Sequence, residues 1–592
     1  MRADGVRPVD GPIDAVRAHA ATTPGAAALL DTAGHALAYG DLRDLLDATR
    51  ARLEQLGIAP GDRVVVAAGA GLGTAVLLLA LLDLACCCPV DPTVRRDELR
   101  AVLDLVRPAA VVVPANAGAD LRHAAASRGL GVIEAHADPA PVLTPVAERR
   151  TPRAGTDDDA KLLLRTSGTT ARGKIVALTA GNIVAGARAT GRAYALTPDD
   201  RRLNLMPLFH VQGLVGSLLA SLAAGSSVVC AAAFDPAKVA GWLRELRPTW
   251  FSASPAMHRL ILDAPGRPDG HALRFVRSGS AALPAALRAD LADAYAVPVV
   301  ESYGMSEAHQ IASTPLPPQP PARGMVATGS EIGIRDDHGT IHRTPGATGE
   351  IVVRGPNVVG GYLWPSRADE AFTGGWFRTG DLGALHDDGS LAVTGRLKEL
   401  IDRGGEKVSP REIEDALARH PDVERAAVFG VPDPVLTERI AAAVVLRAGA
   451  APDADGLRRF TGRRIAPHKV PELITFRDAL PVSATGKIQK HELARELEPV
   501  RETAGNDGPR PRTATEAALA GLWAFALDVA HVSVEDDFFA RGGDSLAAVA
   551  LLSTVEEVFG VVLGPQSLFD ELNTVARMAA HIAARTGEAH DG

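Results

Sequence analysis

Short apolar runs, each closed by glycine or proline, recur through the first 390 residues and alternate with longer stretches of helical pattern. Arg63–Gly69 reads RVVVAAG and Ala109–Ala115 reads AAVVVPA, with the helical segment Thr74–Leu84 between them. Strand, helix and strand in succession predict parallel α/β construction. The pattern resumes over Leu203–Pro298, where SSVVCAAA, RPTWFSAS, LRFVRSGS and VPVVES are strand candidates separated by helices. From Glu350 to Val393 the runs EIVVRG and SLAVTG mark a smaller, more β-rich section. After Gly395 the helix REIEDALARH, the strands ERAAVFGV and RIAAAVVLR, a further helix and the strand ELITFRD form an α+β unit ending near Glu496. Residues 497–514 are rich in proline, glycine and charge, the signature of a linker. Amphipathic segments then make Thr515–Arg585 a small helical bundle. The expected fold class is therefore α/β over residues 10–395, a small α+β subdomain over 396–496, a linker over 497–514 and an all-α four-helix domain over 515–585.

A chain of 592 residues exceeds what one core can hold. Its 62 basic against 71 acidic residues, with no long basic block, argue against nucleic acid as the main partner but leave room for a nucleotide pocket. Met1–Ala18 carries charges and no apolar core, unlike a secretory signal. The longest apolar run, Thr74–Cys88, contains Asp83 and is short for a bilayer, so a cytoplasmic protein with no membrane partner is expected. Cys86, Cys87 and Cys88 are adjacent; neighbours on a strand face opposite ways, which suits small buried hydrophobes better than a metal or disulfide site. The GAGLG of Gly69–Gly73 lacks dinucleotide-loop spacing and reads as a tight turn.

The stretch richest in chemistry is Leu162–Val176, LLLRTSGTTARGKIV, in which an apolar strand enters a run of Thr, Ser and Gly ending in a lysine. Glycines admit an anion close to the backbone, hydroxyls and N–H groups donate to phosphate oxygens, and lysine adds charge. By composition alone a polar surface turn fits equally well. The stretch, however, resembles the TSGTTGxPKG signature of the adenylate-forming superfamily. That resemblance continues in order through YGMSE (Tyr303–Glu307), GE (Gly349–Glu350), RTGD (Arg378–Asp381), GRLKELI (Gly395–Ile401), GGEKVSPREIE (Gly404–Glu414) and PVSATGKIQK (Pro481–Lys490). Within the loop, Ala171, Gly173 and Ile175 depart from the usual Gly, Pro and Gly.

The resemblance implies a large adenylation core, a mobile C-terminal subdomain, and ATP and Mg²⁺ as cofactors. Thr166, Ser167, Gly168, Thr169, Thr170 and Lys174 would hold phosphates. Lys487 would bridge the carboxylate and the α-phosphate, and Ser306 would donate to that phosphate. Glu307 would be the Mg²⁺ ligand, a hard oxygen donor for a hard ion. Asp381, assisted by Arg396, would hold the ribose hydroxyls. Tyr303 would cover one adenine face and Ser278, Gly279 and Ser280 would run along the other; a plain core aromatic is the bland reading of Tyr303. Lys398 takes the hinge position, although an exposed lysine fits there equally. PLFHVQG (Pro207–Gly213) resembles acyl-CoA synthetases and puts His210 at the pocket mouth. Phe234–Asp235 lies too late in the chain to be the ammonium-pairing aspartate of amino-acid-activating domains. Val276–Pro318 is similar to the oxalate–CoA ligase branch, in which His309, with His210 and Ser280, would face a second carboxylate; a buried packing role is the other reading of His309. A short polar acid is thereby implied.

Finally, DDFFARGGDSLAAVAL (Asp536–Leu551) resembles carrier-domain signatures, with 4′-phosphopantetheine on Ser545 at a helix N-terminus. A phosphopantetheinyl transferase and a downstream acyl-accepting enzyme of specialised-metabolite, nonribosomal-peptide or polyketide type are the partners this implies. The reading is a ligase that loads its own carrier. The alternatives are a free CoA ligase whose tail is a docking module, and a non-catalytic scaffold.

Overall fold

Parallel α/β construction is what the apolar runs build. The computed structural model describes residues 11–94, 96–115, 118–137, 140–147, 159–166, 174–266, 269–317, 322–364, 371–433, 436–447, 449–482, 488–497, 509, 511–527, 532–538, 541, 545–564, 567–568 and 572–586. They fall into two units, one of Met1–Lys398 with Val482–Lys487, the other of Glu399–Pro481 with Ile488–Gly592.

In the first unit, eight strands form a sheet in the order Tyr362–Trp364, Ile175–Thr179, Ala160–Arg165, Cys86–Val90, Arg63–Ala67, Ala110–Pro114, Gly131–Ala137 and Pro141–Ala147. Its central strands are parallel, and antiparallel ones close both edges. The helix Leu72–Leu84 is buried on every side except at Asp83. Its leucines share one apolar cluster with Val64 and Val112 of this sheet and with Val228 of the next, so an all-apolar helix lies between two sheets. Asp83 escapes that core by pairing with Arg17 at 2.7 Å and Arg50 at 2.9 Å. Cys86, Cys87 and Cys88 are buried strand residues, and burial pushes the Cys87 and Cys88 thiols up, away from the reactive thiolate.

The second sheet has nine strands, among them Arg201–Asn204, Trp250–Ala253, Phe275–Ser278, Val299–Met305 and Ala308–Ser313. Side chains alternate across it. Leu203, Phe251 and Val276 share an apolar cluster with Val239, Leu243, Ile261 and Leu291 of three helices. The other face carries a polar stripe, because register aligns Arg202 with Trp250 and Asn204 with Ser252, and Ser252 with Arg277. Arg277 is buried and donates to Tyr194 Oη at 2.7 Å, Ser252 Oγ at 3.0 Å and Gln310 Oε1 at 3.3 Å, all neutral acceptors. Arg202 is fully buried, 4.0 Å over the Trp250 ring, and its guanidinium nitrogens have no hydrogen-bond partner among the described residues. That stacking, worth about 2 kcal/mol when desolvated, offsets only part of the several kcal/mol that burying an ion costs.

A third, antiparallel sheet contains Glu331–Arg335, Thr348–Arg354, Trp376–Leu385 and Leu391–Arg396.

In the second unit the strands Glu406–Val408, Ile401–Arg403, Thr437–Leu446, Val423–Asp433 and Leu473–Phe476 form one sheet. The helices Ala514–Ala526, Ser545–Phe559 and Val575–Thr586 have a core of their own, in which Trp523 meets Phe538 edge-on at 5.0 Å. Of the expected fourth helix only residues 567–568 are described, and both are helical. No helix of the described residues is long and apolar enough to cross a membrane, and no described cluster of His, Cys, Asp and Glu could hold a metal ion on its own.

Candidate active site

The strand Ala160–Arg165 turns back antiparallel as Ile175–Thr179, and the Thr166 N–H donates to the Lys174 carbonyl at 2.9 Å. The two ends of the phosphate-loop motif are thus pinned side by side. Ser167, Gly168, Thr169, Thr170, Ala171 and Gly173 lie outside the described residues. Ile175, which stands where the motif has a glycine, is a buried strand residue in the apolar core, where an isoleucine belongs. The Lys174 ammonium sits over the ring of Tyr362, 4.3 Å from its centroid.

Val299–Met305 and Ala308–Ser313 form a hairpin whose turn is Ser306–Glu307. Gly304 is required there, since a Cβ would collide with the His309 carbonyl oxygen. Glu307 is buried, and its Oε1 accepts a 2.9 Å hydrogen bond from the Tyr362 hydroxyl. The remaining oxygen of this hard donor is suited to Mg²⁺.

Asp381 is buried on the long strand Trp376–Leu385. Its Oδ2 accepts from Tyr303 Oη at 2.7 Å, and Arg396 Nε lies 2.7 Å from its Oδ1. Tyr303 therefore does more than pack, although its ring also adjoins the core around Ile311 and Phe377. Burial and the adjacent Asp381 raise the Tyr303 phenol, keeping it a donor. An ionised carboxylate accepts about four hydrogen bonds, so two such contacts leave capacity for a ribose diol. The buried Glu350 accepts from Arg378 Nε at 2.8 Å and from the Gly380 N–H at 3.3 Å, tying down the backbone that precedes Asp381.

Ser280 holds a left-handed backbone (φ 70°) and donates to Gln212 Oε1 at 2.6 Å, while Gln212 Nε2 donates to Ser252 Oγ at 2.7 Å. This relay ends on Arg277. His210 precedes the short helix Val211–Gly213, its ring 4.6 Å from that of Phe209, and burial lowers its pKa to about 4. His309 fits the packing role that is its other reading. Its ring is buried between Gly186 and Gly216, where a Cβ on Gly216 would meet it at 2.5 Å, and its Nε2 lies 3.4 Å from Thr190 Oγ1. Burial first, then the nearby Arg277 and Arg202, lower its pKa to about 3. At neutral pH both imidazoles are uncharged, so neither is a cationic partner for a carboxylate. Lys398 is exposed in the turn Leu397–Glu399. Asp235 caps the helix Pro236–Glu245, accepting from the Ala237 N–H at 3.2 Å. Lys487 lies outside the described residues, and Ser545 is the first residue of its helix. Sequence reasoning did not single out Gln212, Arg277 or Tyr362, although the first two stand inside the quoted motifs PLFHVQG and VRSGSA.

These histidines give a pH prediction. His210, His258 and His309 titrate near 4, 4 and 3 in the folded chain, burial being the leading cause in each. An unfolded histidine titrates near 6.5. Below that value the unfolded state binds more protons, so stability is full above about pH 6.5 and falls with pH, by about 1.4 kcal/mol per unit for each histidine. Urea midpoints at pH 7 and pH 5 should differ accordingly, and His309→Gln should flatten the slope. A flat profile between these values contradicts the assignment.

The family follows from these sites. Residues 16–363 match the AMP-binding enzyme family, 412–487 its C-terminal domain and 517–582 the phosphopantetheine attachment site. The chain belongs to the AMP-binding enzyme family and is an ATP-dependent, acyl-activating ligase with a carrier domain. Oxalate–CoA ligase of Arabidopsis thaliana is 35% identical, covering 77% of this chain and 93% of the relative. Sulfoacetate–CoA ligase of Cupriavidus necator is also 35% identical, covering 78% and 92%. The solved ATP-bound MatB from Rhodopseudomonas palustris has a TM-score of 0.73 at 27% identity, covering 81% of this chain and 98% of that one.

Proposed function

We propose that the chain converts a short polar acid to its acyl adenylate and transfers the acyl group to the phosphopantetheine thiol on Ser545, within specialised-metabolite biosynthesis. The observation that carries this reading is the Asp381–Tyr303–Arg396 arrangement in a chain that also supplies its own carrier helix beginning at Ser545. In the first step a carboxylate oxygen attacks the α-phosphorus and pyrophosphate leaves; in the second the thiolate sulfur attacks the acyl carbon and AMP leaves. Two anions meet in the first step, so fixed donors and cations do most of the work. Lys487 bridges the reacting oxygens, Ser306 donates to the α-phosphate and Lys174 neutralises the departing pyrophosphate. Asp381 and Arg396 orient the ribose, and Tyr303 with Ser278 and Gly279 brackets the adenine. Mg²⁺, held by Glu307, supplies charge neutralisation when bound. Ser280 and neutral His210 offer hydrogen bonds to the acid. Lys398, at the boundary between the two units, is the hinge.

The acid is short and polar, in keeping with the oxalate and sulfoacetate named for two relatives. Those relatives are CoA ligases, which favours free CoA as the acceptor in a second reading. ATP–pyrophosphate exchange over a panel of oxalate, sulfoacetate, malonate, hydroxy acids, benzoate and octanoate tests the first step. Exchange is expected with one or more small polar acids. Exchange with octanoate or benzoate alone overturns the acid class, and no exchange with any acid returns the chain to a scaffold.

A further inference from the structure

Two contacts converge on one side chain that lies outside every motif. Tyr362 sits in the strand Tyr362–Trp364, which pairs antiparallel with Ile175–Thr179 so that Tyr362 is opposite Val176, two residues past Lys174. Its ring faces the Lys174 ammonium at 4.3 Å, and its hydroxyl donates to Glu307 Oε1 at 2.9 Å. Phe372 lies edge-on to the same ring at 6.3 Å. One aromatic residue therefore touches both the lysine at the exit of the phosphate loop and the buried carboxylate of the Ser306–Glu307 turn.

We propose that Tyr362 is a positioning residue that couples the loop lysine to the metal-binding carboxylate, so that phosphate and metal are gripped in a fixed mutual orientation. This rests on the reading of Glu307 as the Mg²⁺ ligand. A carboxylate ligand binds best when an outer hydrogen bond fixes its plane and leaves one oxygen free. The Tyr362 phenol does this for Glu307, directing Oε2 away from the occupied Oε1. The ring face attracts the ammonium through its quadrupole, and strand pairing holds that face against the point where the loop rejoins the sheet. A phenylalanine would keep the ring contact but leave the Glu307 carboxylate free to rotate.

The test separates the two contacts. Tyr362→Phe deletes the hydroxyl alone, and Tyr362→Leu deletes both hydroxyl and ring. Mn²⁺ binding to the full chain with ATP and no acid is read by electron paramagnetic resonance, and ATP–pyrophosphate exchange is followed across a Mg²⁺ titration. Tyr362→Phe should bind Mn²⁺ about tenfold more weakly and need correspondingly more Mg²⁺ for half-maximal exchange, with kcat at saturating Mg²⁺ unchanged. Tyr362→Leu should add a rise of about fivefold in the KM for ATP. Wild-type Mn²⁺ affinity in Tyr362→Phe, or a fall in kcat alone in both variants, overturns the proposal. Glu307→Gln tells the two readings apart. If it too leaves Mn²⁺ affinity unchanged, the metal assignment fails and takes the proposal with it. If it weakens Mn²⁺ binding while Tyr362→Phe does not, only the role of Tyr362 fails.

Discussion

Ser545→Ala in the full chain, treated with a phosphopantetheinyl transferase, ATP and an accepted acid, should form the acyl adenylate at the wild-type rate and carry no thioester-bound acyl group. In the proposed function the Ser545 hydroxyl is the attachment point for the phosphodiester, and alanine removes it outright. Alanine is a good helix former, and Ser545 opens its helix, so folding is not at stake. Intact-mass measurement reads the missing phosphopantetheine, and ATP–pyrophosphate exchange reads the surviving first step. In the proposed function the thiol is part of the same chain, and a tethered partner has a far higher effective concentration than a dilute free one. Untethered CoA at micromolar levels should compete poorly in the wild type. Formation of acyl-CoA by Ser545→Ala as fast as wild type loads its carrier would replace self-loading with the CoA-ligase reading.

Lys487→Ala should lower ATP–pyrophosphate exchange by about 10²–10³-fold, the usual cost of losing one preorganised donor from a charged transition state. ATP binding, followed by calorimetry without acid, should change little, because the proposed function gives the nucleoside half to Asp381, Arg396 and Tyr303. Unimpaired exchange would strip Lys487 of its bridging role. A large loss of ATP affinity would instead make it a ground-state binding residue.

How legible the protein was depended on whether a property was local or collective. The strands RVVVAAG and AAVVVPA and the buried cysteine triplet are local: each follows from apolar length or alternation, and each stands in the fold as read. Asp381 with Tyr303 was half legible, since both belong to motifs but no spacing in the chain announces a 2.7 Å contact between residues 78 positions apart. For His309 the chain leaves two readings open, and packing favours the buried one. Its neighbours Gly186, Gly216 and Thr190 come from distant segments, and only their packing makes it buried and neutral. Ile175 departs from the motif's glycine, and strand pairing shows why an apolar residue fits there, in the core.

The sequence by itself determined the α/β character, the family and the carrier tail, because ordered motifs and apolar periods are written along the chain. Tertiary structure alone decided which charges survive in the site. Burial neutralises His210 and His309, while Arg277 keeps its hydrogen bonds to neutral partners deep in the same sheet. It also decided that Tyr362, in no motif, touches both Lys174 and Glu307. The physical reason is that desolvation and hydrogen bonding depend on what surrounds a group in space, and a linear chain does not name those surroundings until strands pair.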